Sequence, residues 1–550
     1  MVYKDYPLFV GLNEGADLPS KYQTKDDMKN TRSFRIPSLL TAPNGNVIAA
    51  IDRASTGADW GKIDIAVRIS KDSGETWSEM KMITNMPTRV PPQSVDDTAS
   101  AFAIDPVMTV TKNGEILMMF DMWPESKGLH DRSRLESGSG YVEIDGQKYL
   151  ALFDSKSSMR RLKSKTRATG YNCYTVRENG FIYDPDGVKT LMYLPQRHAC
   201  YEDGYATMGD LYLAVGEPDY IDKAPPLIPK EPQGDEDVYL GNIYLTVATP
   251  PLKDKFYFVQ KTVADKNCDP PFKSDYPVII TKPAPLRVAV TSHLWCMRSA
   301  DGGETWSAPY NINAMVKRPE DKGFFGVAPG NAITLQYQEN PELNGRILVP
   351  VYNLKAAAVI YSDDDGYTWT RNDKGYIKTS GENQLFEYSD GCIQSVSRPL
   401  FVSAPKTVIS TDGGRTWKKG KPLEIACVHC QKAIITLPVV DGKQYVLCSH
   451  STGHFGKDST RTCGVISLGL ADTKTHTVKW TNEMSIKQNA YYKDFEKHAD
   501  FFAYSAIAQL PDGTIGVLYE AYPSGYIVFT KFDILDLTLA NKPALPKKIF

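Results

Sequence analysis

Short apolar runs bounded by turn residues recur along most of the chain. The runs at 47–51 and 116–120 each follow an Asn-Gly pair, and the run at 515–519 follows an Asp-Gly pair. Runs of this kind between such turns are typical of β-hairpins, because Gly readily supplies the positive φ that tight turns need. Long charge runs and heptad repeats are absent. The pattern predicts an all-β fold of many short antiparallel strands.

One motif, Ser-x-Asp-x-Gly-x-Thr-Trp, occurs four times, at 70–77, 299–306, 362–369 and 410–417. Its Asp accepts hydrogen bonds from backbone N–H groups that follow, its Gly provides a positive φ, and its Trp packs an apolar ring under the hairpin. We therefore predict that each motif is the turn between two strands of a small antiparallel sheet. We expect these residues to be structural and not catalytic.

The spacing of the motifs indicates a radially repeated fold. Trp306 and Trp369 are 63 residues apart, Trp369 and Trp417 are 48 apart, and a degenerate unit from Asp472 to Trp480 follows. A four-stranded blade takes roughly 40–60 residues, so these are steps of one blade. The 229 residues between Trp77 and Trp306 must hold a further blade and an insertion.

The predicted fold is an all-β, six-bladed β-propeller with an inserted small subdomain. We assign residues 1–125 to the first part of the propeller, 126–285 to the insertion and 286–550 to the remainder. The second blade is expected to close near 288–295, and residues 1–32 to form a lead-in arm or an edge strand.

The composition and the net charge exclude some classes of binding partner. The 550 residues are 42% hydrophobic and 11% aromatic, enough for a large core, and the formal net charge is −2. Nucleic acid and anionic membranes are therefore poor candidates as partners. No stretch approaches 18 apolar residues, so we expect no membrane span. Lys4 and Asp5 interrupt any apolar region at the start, which is unlike a signal peptide. We expect a secreted or cell-surface protein whose signal was removed, with a cytoplasmic location as the alternative.

The nine cysteines are odd in number and scattered, which does not indicate a disulfide framework. Cys427 and Cys430 form a Cys-x-x-Cys without a second pair at zinc-binding spacing, and we interpret them as core thiols. The acidic stretch at 234–237 could ligate calcium but is more often a solvated loop. We expect no metal and no cofactor.

Several segments together resemble a known family. These are Phe-Arg-Ile-Pro at 34–37, Ala-Asp-Trp-Gly at 58–61, the four turn motifs, the segment at 326–330, and Tyr504 with Leu-Tyr-Glu at 518–520. Together they resemble the exo-sialidases of bacteria, trypanosomes and animals, most closely those of pneumococcal type. The resemblance covers nearly the whole chain and implies an exo-α-sialidase that acts on sialylated glycans.

The resemblance also implies a role for each of seven residues. Arg35, Arg398 and Arg461 match the family's three arginines, and Arg53 matches an additional arginine of the pocket. Asp59 matches the acid/base, Tyr504 the nucleophile, and Glu382 the base that activates the tyrosine. Asp52, Asp105 and Glu520 are candidate partners for the arginines.

The chemistry explains these residue types. Sialic acid carries a carboxylate on its anomeric carbon, which guanidinium groups can hold through a bidentate fork that Lys lacks. A carboxylate nucleophile would be repelled by that group, whereas a neutral tyrosine is not, and sialidases are a known exception in using one. Asp59 would protonate the leaving oxygen and then activate water. The expected outcome is retention through a covalent sialyl-tyrosine.

Two alternatives remain open. The same residues would serve an intramolecular trans-sialidase or a sialidase with a dehydrated product, if an aromatic ring over the site excluded water. Tyr522 and Tyr526 follow the strand of the nucleophile and could supply such a ring. A non-catalytic glycan-binding propeller is the second alternative, although a pure binder has no need of Asp59, Glu382 and Tyr504 together. His198, His293 and His450 are expected to be structural.

Overall fold

The computed structural model describes most of the chain. The described residues are 6–10, 33–54, 58–89, 99–195, 209–214, 237–246, 259–261, 264–265, 272–273, 278–372, 377–378, 381–398, 404–453, 460–486, 501–521 and 526–539. All structural statements concern these residues.

Six sheets form the blades of a propeller, which confirms the predicted fold. Blade 1 contains β2 (Ser33–Thr41), β3 (Val47–Ala54), β4 (Ile63–Ser70) and β5 (Lys81–Met82). Blade 2 contains β6 (Phe102–Val110), β7 (Ile116–Trp123), β19 (His293–Ser299) and β20 (Tyr310–Asn311), with β22 (Gly330–Asn331) parallel to β6. Blade 3 contains β21 (Phe325–Val327), β24 (Ile347–Asn353), β25 (Ala356–Ser362) and β26 (Thr370–Arg371), with β23 (Ile333–Thr334) on β24 and β27 (Ile377–Lys378) on β25.

The other three blades follow in chain order. Blade 4 contains β28 (Asn383–Glu387), β29 (Ile393–Ser397), β30 (Thr407–Ser410) and β31 (Lys418–Lys419). Blade 5 contains β32 (Ala433–Thr436), β33 (Tyr445–Ser451), β34 (Gly464–Asp472) and β35 (Thr477–Ser485). Blade 6 contains β36 (Ala503–Gln509), β37 (Ile515–Ala521) and β38 (Tyr526–Phe532), completed by β1 (Tyr6–Val10) from the other end of the chain.

The ring closes between blades 6 and 1. The strand β1 pairs antiparallel with β38, so residues 6–10 form an edge strand as expected. Apolar side chains of blade 6 and blade 1 share one buried cluster that includes Phe9, Phe34 and Phe529. Similar clusters fill the spaces between the other neighbouring blades. The first strands of successive blades contact one another around the axis, as β2 does with β6 and β36.

The four sequence motifs are turns between the third and fourth strands of blades 1 to 4, as predicted. In the motif of blade 4, Asp412 Oδ1 accepts a hydrogen bond from the Thr416 backbone N–H at 2.9 Å, and Oδ2 accepts one from the Thr416 hydroxyl at 2.6 Å. The Ser410 hydroxyl accepts the N–H of Gly414, which has a φ of 82°. The degenerate unit at Asp472 forms the corresponding turn of blade 5, between β34 and β35.

A seven-stranded antiparallel sheet lies between the two halves of blade 2 in the sequence. Its strands are β8 (Tyr141–Ile144), β9 (Gln147–Leu152), β10 (Tyr174–Val176), β11 (Phe181–Tyr183), β12 (Lys189–Tyr193), β13 (Asp210–Leu213) and β14 (Val238–Asn242). Two further pairs are β15 (Val259–Lys261) with β18 (Val278–Ile280), and β16 (Ala264–Asp265) with β17 (Phe272–Lys273). Apolar side chains of the large sheet join the buried cluster of blades 1 and 2. The sheet falls within 126–285, and the subdomain boundaries stay predictions.

Helices are few and short. The α-helices among the described residues are α1 (Asn313–Val316) and α2 (Ile534–Thr538), and 3₁₀ turns occur at Gly128–His130, Met159–Arg161, Glu178–Gly180 and Pro341–Leu343. In the described part of the chain, none of the helices has the length and apolar character needed to cross a bilayer.

Candidate active site

Three strands at the axis carry irregularities where the site lies. The register shifts between Arg35 and Ser38 on β2, between Ile104 and Val107 on β6, and around Tyr504 on β36. Pro37 and Pro106 follow residues with φ of 58° and 66° on the first two strands, and a proline cannot donate to the strand ladder. Bulges of this kind turn side chains out of the regular alternation.

A tyrosine, a glutamate and an arginine from three segments meet at the axis. The Tyr504 hydroxyl donates a hydrogen bond to Glu382 Oε1 at 2.7 Å, and Arg398 Nη1 donates to the same hydroxyl at 2.9 Å. Arg398 also binds Glu382 Oε2 at 2.7 Å, so the three groups form a closed triangle. Glu382 precedes β28 and Arg398 follows β29, and their backbones are joined by a hydrogen bond of 2.7 Å.

Burial sets the protonation of this triangle. It raises the pKa of Tyr504 well above its ordinary value; the nearby Glu382 carboxylate adds to the rise and Arg398 opposes it. Burial lowers the pKa of Arg398, but Glu382 and Tyr504 oppose this, and the pKa of Arg398 is raised overall. At neutral pH the phenol is therefore protonated and its proton points at Glu382. A neutral nucleophile with a base in hydrogen-bond contact is the arrangement that nucleophilic catalysis needs.

Arg35 also lies near the Tyr504 ring and bridges two carboxylates. Its Nη1 contacts Asp59 Oδ1, and its Nε lies 3.2 Å from Glu520 Oε1. Glu520 also accepts the N–H of Ile36 at 3.0 Å, which fixes the bulge that turns Arg35 inward. The charge of Glu520 raises the pKa of Arg35, so the guanidinium is permanently charged. Asp59 lies on the loop between β3 and β4, with 47% of its side chain exposed.

Three guanidinium groups surround one phenol ring. The Cζ atoms of Arg35, Arg398 and Arg461 lie 5.5, 5.9 and 5.4 Å from the centre of the Tyr504 ring. Arg461 precedes β34 and, among the described residues, has no ion pair with a carboxylate. Arg53 lies on β3 opposite Asp64 of β4, one residue beyond Asp52, and is partly exposed. The structure thus gathers five of the other six predicted residues around Tyr504 and places Arg53 on the strand next to that of Arg35.

The other expected carboxylates differ in their contacts. Glu520 is a direct partner of Arg35, whereas Asp52 accepts the backbone N–H of Asp105 at 3.0 Å. Burial raises the pKa of Asp52 well above its ordinary value, although this N–H and Arg35 oppose the rise. Burial and the neighbouring Asp52 also raise the pKa of Asp105.

Among the described residues, the histidines and cysteines that were expected to be structural lie in the interior. His293 and His450 are buried and hydrogen-bonded, as expected of structural residues. Cys427 and Cys430 are buried free thiols in two separate core clusters. The suggestion that Tyr526 covers the site is wrong, because β38 directs it into the core of blades 5 and 6. Tyr522, His198 and residues 234–236 lie outside the described residues.

Sequence reasoning missed the groups beside Asp59. His130, from the start of the insertion, places Nε2 3.8 Å from Asp59 Oδ2. Its ring lies 4.9 Å from that of Trp60, and Lys127 Nζ lies 5.6 Å above the same indole. No local sequence signal marks His130, because it reaches the site only through the packing of the insertion on blade 2.

A six-bladed propeller with three arginines and a Tyr–Glu pair near its axis is the arrangement that the resemblance to sialidases implies. Residues 278–517 match a family model described as a BNR repeat-like domain. The anhydrosialidase of Macrobdella decora is 28% identical, with 93% of this chain and 62% of that protein covered. Sialidase B of Streptococcus pneumoniae is 23% identical, with 93% and 66% covered. The crystal structure of the intramolecular trans-sialidase from Ruminococcus gnavus in complex with oseltamivir carboxylate superposes with a TM-score of 0.65, at 26% identity and with 92% and 96% covered.

The chain is therefore similar to the bacterial-type sialidases over nearly its whole length. It spans slightly less than two thirds of the length of the two curated relatives named above.

Proposed function

We propose that the protein is a retaining exo-α-sialidase that releases terminal sialic acid from glycoconjugates. The observation that carries the proposal is the hydrogen-bonded triangle of Tyr504, Glu382 and Arg398. A buried neutral phenol pointing its proton at a carboxylate is ready to become a nucleophile. Such a pair has no purpose in a module that only binds glycans.

The arginines supply the binding site for the substrate carboxylate. Arg461 has no acidic partner among the described residues, and the side chain of Arg35 is 22% exposed. With Arg398, which donates to the Tyr504 hydroxyl at 2.9 Å, they would hold a sialic acid carboxylate beside that ring and bring its anomeric carbon toward the Tyr504 oxygen. Guanidinium pairs bind carboxylates with geometric specificity, so the clamp would also orient the sugar.

The first step forms a covalent intermediate. Asp59 donates its proton to the glycosidic oxygen, and the bond from the anomeric carbon to that oxygen breaks. The Tyr504 oxygen bonds to the anomeric carbon as its proton passes to Glu382, 2.7 Å away. In the second step Asp59 takes a proton from water and the water oxygen bonds to the anomeric carbon. The bond from that carbon to the Tyr504 oxygen breaks, and Glu382 returns the proton to Tyr504. Two inversions at one carbon give net retention.

Intramolecular trans-sialylation is the second candidate. It is favoured by the relatives, since the protein from Macrobdella decora is named an anhydrosialidase and the one from Ruminococcus gnavus an intramolecular trans-sialidase. In that reaction the 7-hydroxyl of the bound sugar replaces water in the second step and the product is 2,7-anhydro. The residues and protons of the first step are the same.

Proton NMR of a 3′-sialyllactose digest distinguishes these outcomes. Free sialic acid that appears first as the α-anomer supports the retaining hydrolase, and a 2,7-anhydro or 2,3-dehydro product supports the second candidate or its dehydrating relative. The absence of turnover on 3′- and 6′-sialyllactose and on an aryl sialoside would contradict both. A glycan-binding propeller would then be the better account, which binding of sialyllactose without turnover would support.

A further inference from the structure

His130 contacts the acid/base carboxylate from a segment outside the propeller blades. It ends the 3₁₀ turn Gly128–His130, directly after the end of β7, and 52% of its side chain is exposed. Its Nε2 lies 3.8 Å from Asp59 Oδ2, whereas Arg35 contacts the other carboxylate oxygen, Oδ1. Asp59 therefore contacts the Arg35 guanidinium, which would bind the substrate carboxylate, and lies close to the His130 imidazole, which has no part in substrate binding.

The turn that carries His130 is fixed in place. Gly128 has a φ of 49°, and a Cβ there would come within 2.9 Å of the Phe102 ring, so only glycine fits. The Gly128 N–H donates to the Ser126 hydroxyl at 3.1 Å, and Leu129 packs against the cluster that contains Tyr504. The imidazole also lies against the Trp60 ring. His130 is thus preorganised, which removes most of the entropy cost of using it.

Substrate binding changes what Asp59 can contact. Asp59 Oδ1 accepts from Nη1 of Arg35. A substrate carboxylate on Arg35 competes for that position and neutralises its charge. Asp59 then loses its ion-pair partner and must be held by another group to present a proton to the leaving oxygen. Within the described residues, His130 is the other basic side chain with a nitrogen within 4 Å of an Asp59 oxygen.

We propose that His130 is a positioning residue for Asp59, an inference that rests on the proposed function. When the substrate displaces Asp59 from Arg35, the His130 Nε2–H hydrogen-bonds one carboxyl oxygen and aims the other at the glycosidic oxygen. After the proton leaves, the same N–H holds the carboxylate until it accepts a proton from water. The other groups near His130 are Lys127 of its own turn, Trp60, and Asp131, which pairs with Arg134.

The test uses leaving groups that differ in their need for acid. Lactose must be protonated as it leaves sialic acid, whereas 4-nitrophenolate leaves without a proton. General acid assistance contributes about 10²–10⁴-fold, and we expect His130→Ala to lose about 10-fold or more of it in kcat/KM on 3′-sialyllactose, since kcat/KM reports the first step. On the 4-nitrophenyl sialoside, the same variant should lose less than about 3-fold in kcat/KM. His130→Gln keeps an N–H donor at a similar reach and should recover most of the lost rate on 3′-sialyllactose.

Controls separate this role from a structural one. His476 is another histidine paired with an aspartate, at 2.9 Å from Asp390, and lies on the outer turn between β34 and β35, away from Tyr504. His476→Ala should change neither rate. In a background of Asp59→Ala, the His130→Ala change should have no further effect on 3′-sialyllactose, since a positioning residue acts through the group it positions.

The outcomes are distinct. An equal loss on both substrates, a failure of His130→Gln to recover activity, or an additive effect with Asp59→Ala would overturn the role of His130 and leave the sialidase activity standing. Turnover of neither substrate by the unmodified protein would overturn the proposed function and this inference together.

Discussion

Replacing Glu382 by Gln isolates the transfer of the tyrosine proton. The amide has nearly the same shape as the carboxylate and still accepts a hydrogen bond from Tyr504 at 2.7 Å, but it cannot take the proton. Tyr504 must then form its bond to the sugar with a pKa that burial holds well above the ordinary value. We expect kcat to fall while the geometry of the site stays intact.

The magnitude follows from the contacts. Loss of a positioned general base costs about 10²–10⁴-fold in kcat, or about 3–5 kcal/mol of barrier. Glu382 also neutralises Arg398, and their side chains are only 8% and 15% exposed. A buried ion pair that loses one partner is destabilised, here by up to about 3 kcal/mol, since the amide keeps a dipole toward the arginine. The substrate carboxylate restores a negative charge next to Arg398, so KM should not rise.

Steady-state kinetics and thermal unfolding with and without free sialic acid measure both effects. The matched control is Glu387→Gln, at the other end of β28. Glu387 is also buried, and accepts backbone N–H groups of Gln336 and Tyr337 at 2.7 and 3.1 Å. This control should lower stability by about 1–3 kcal/mol and leave kcat unchanged. The reasoning is refuted if Glu382→Gln keeps kcat within about 3-fold of the unmodified protein. Such a result would mean that the Glu382 carboxylate does not accept the Tyr504 proton in a rate-limiting step.

Three further predictions follow from the same structure. Tyr504→Phe removes only the hydroxyl and should lower kcat on the aryl sialoside by at least about 10²-fold. A double variant with Glu382→Gln should be no slower on that substrate than the slower single variant. Asp412→Ala removes two hydrogen bonds to Thr416 and should cost about 1–2 kcal/mol in urea unfolding with no loss of kcat, because the turn lies between outer strands. Burial lowers the pKa of His293 to about 3 and of His450 to about 4. Below about pH 6.5 these two histidines therefore bind protons in the unfolded chain but not in the folded one. The free energy of unfolding should fall as the pH drops, by about 2 kcal/mol for each histidine at pH 5. The variant His450→Gln should make that fall shallower.

Local features of the fold were predictable from sequence, and long-range pairings were not. Each turn motif is encoded within eight residues, because its hydrogen bonds are local: the Thr416 N–H, for example, donates to Asp412 within a single turn. The pairing of β1 with β38 closes the ring over more than 500 residues, and the parallel pairing of β22 with β6 joins two blades. No local pattern specifies such contacts, since they depend on how finished blades pack together.

The site also contains residues that could be predicted from the sequence and contacts that could not. Arg35, Glu382 and Tyr504 carry roles through family resemblance, and the prolines after Ile36 and Asp105 mark the strand bulges. The contact between His130 and Asp59 depends instead on the path of the insertion. Tyr526 was assigned wrongly because it follows the nucleophile strand in sequence, whereas the direction of its side chain is set by the register of β38 on β37.

Trapping the covalent intermediate tests the central claim most directly. A 2,3-difluorinated sialic acid has a good leaving group and a slow second step, so the enzyme it labels can be digested and mapped by mass spectrometry. The account predicts one fluorosialyl group per chain, bonded to the Tyr504 oxygen, and no label in Tyr504→Phe. A label on Glu382 or another residue, or steady turnover of 3′-sialyllactose by Tyr504→Phe at the unmodified rate, would contradict it.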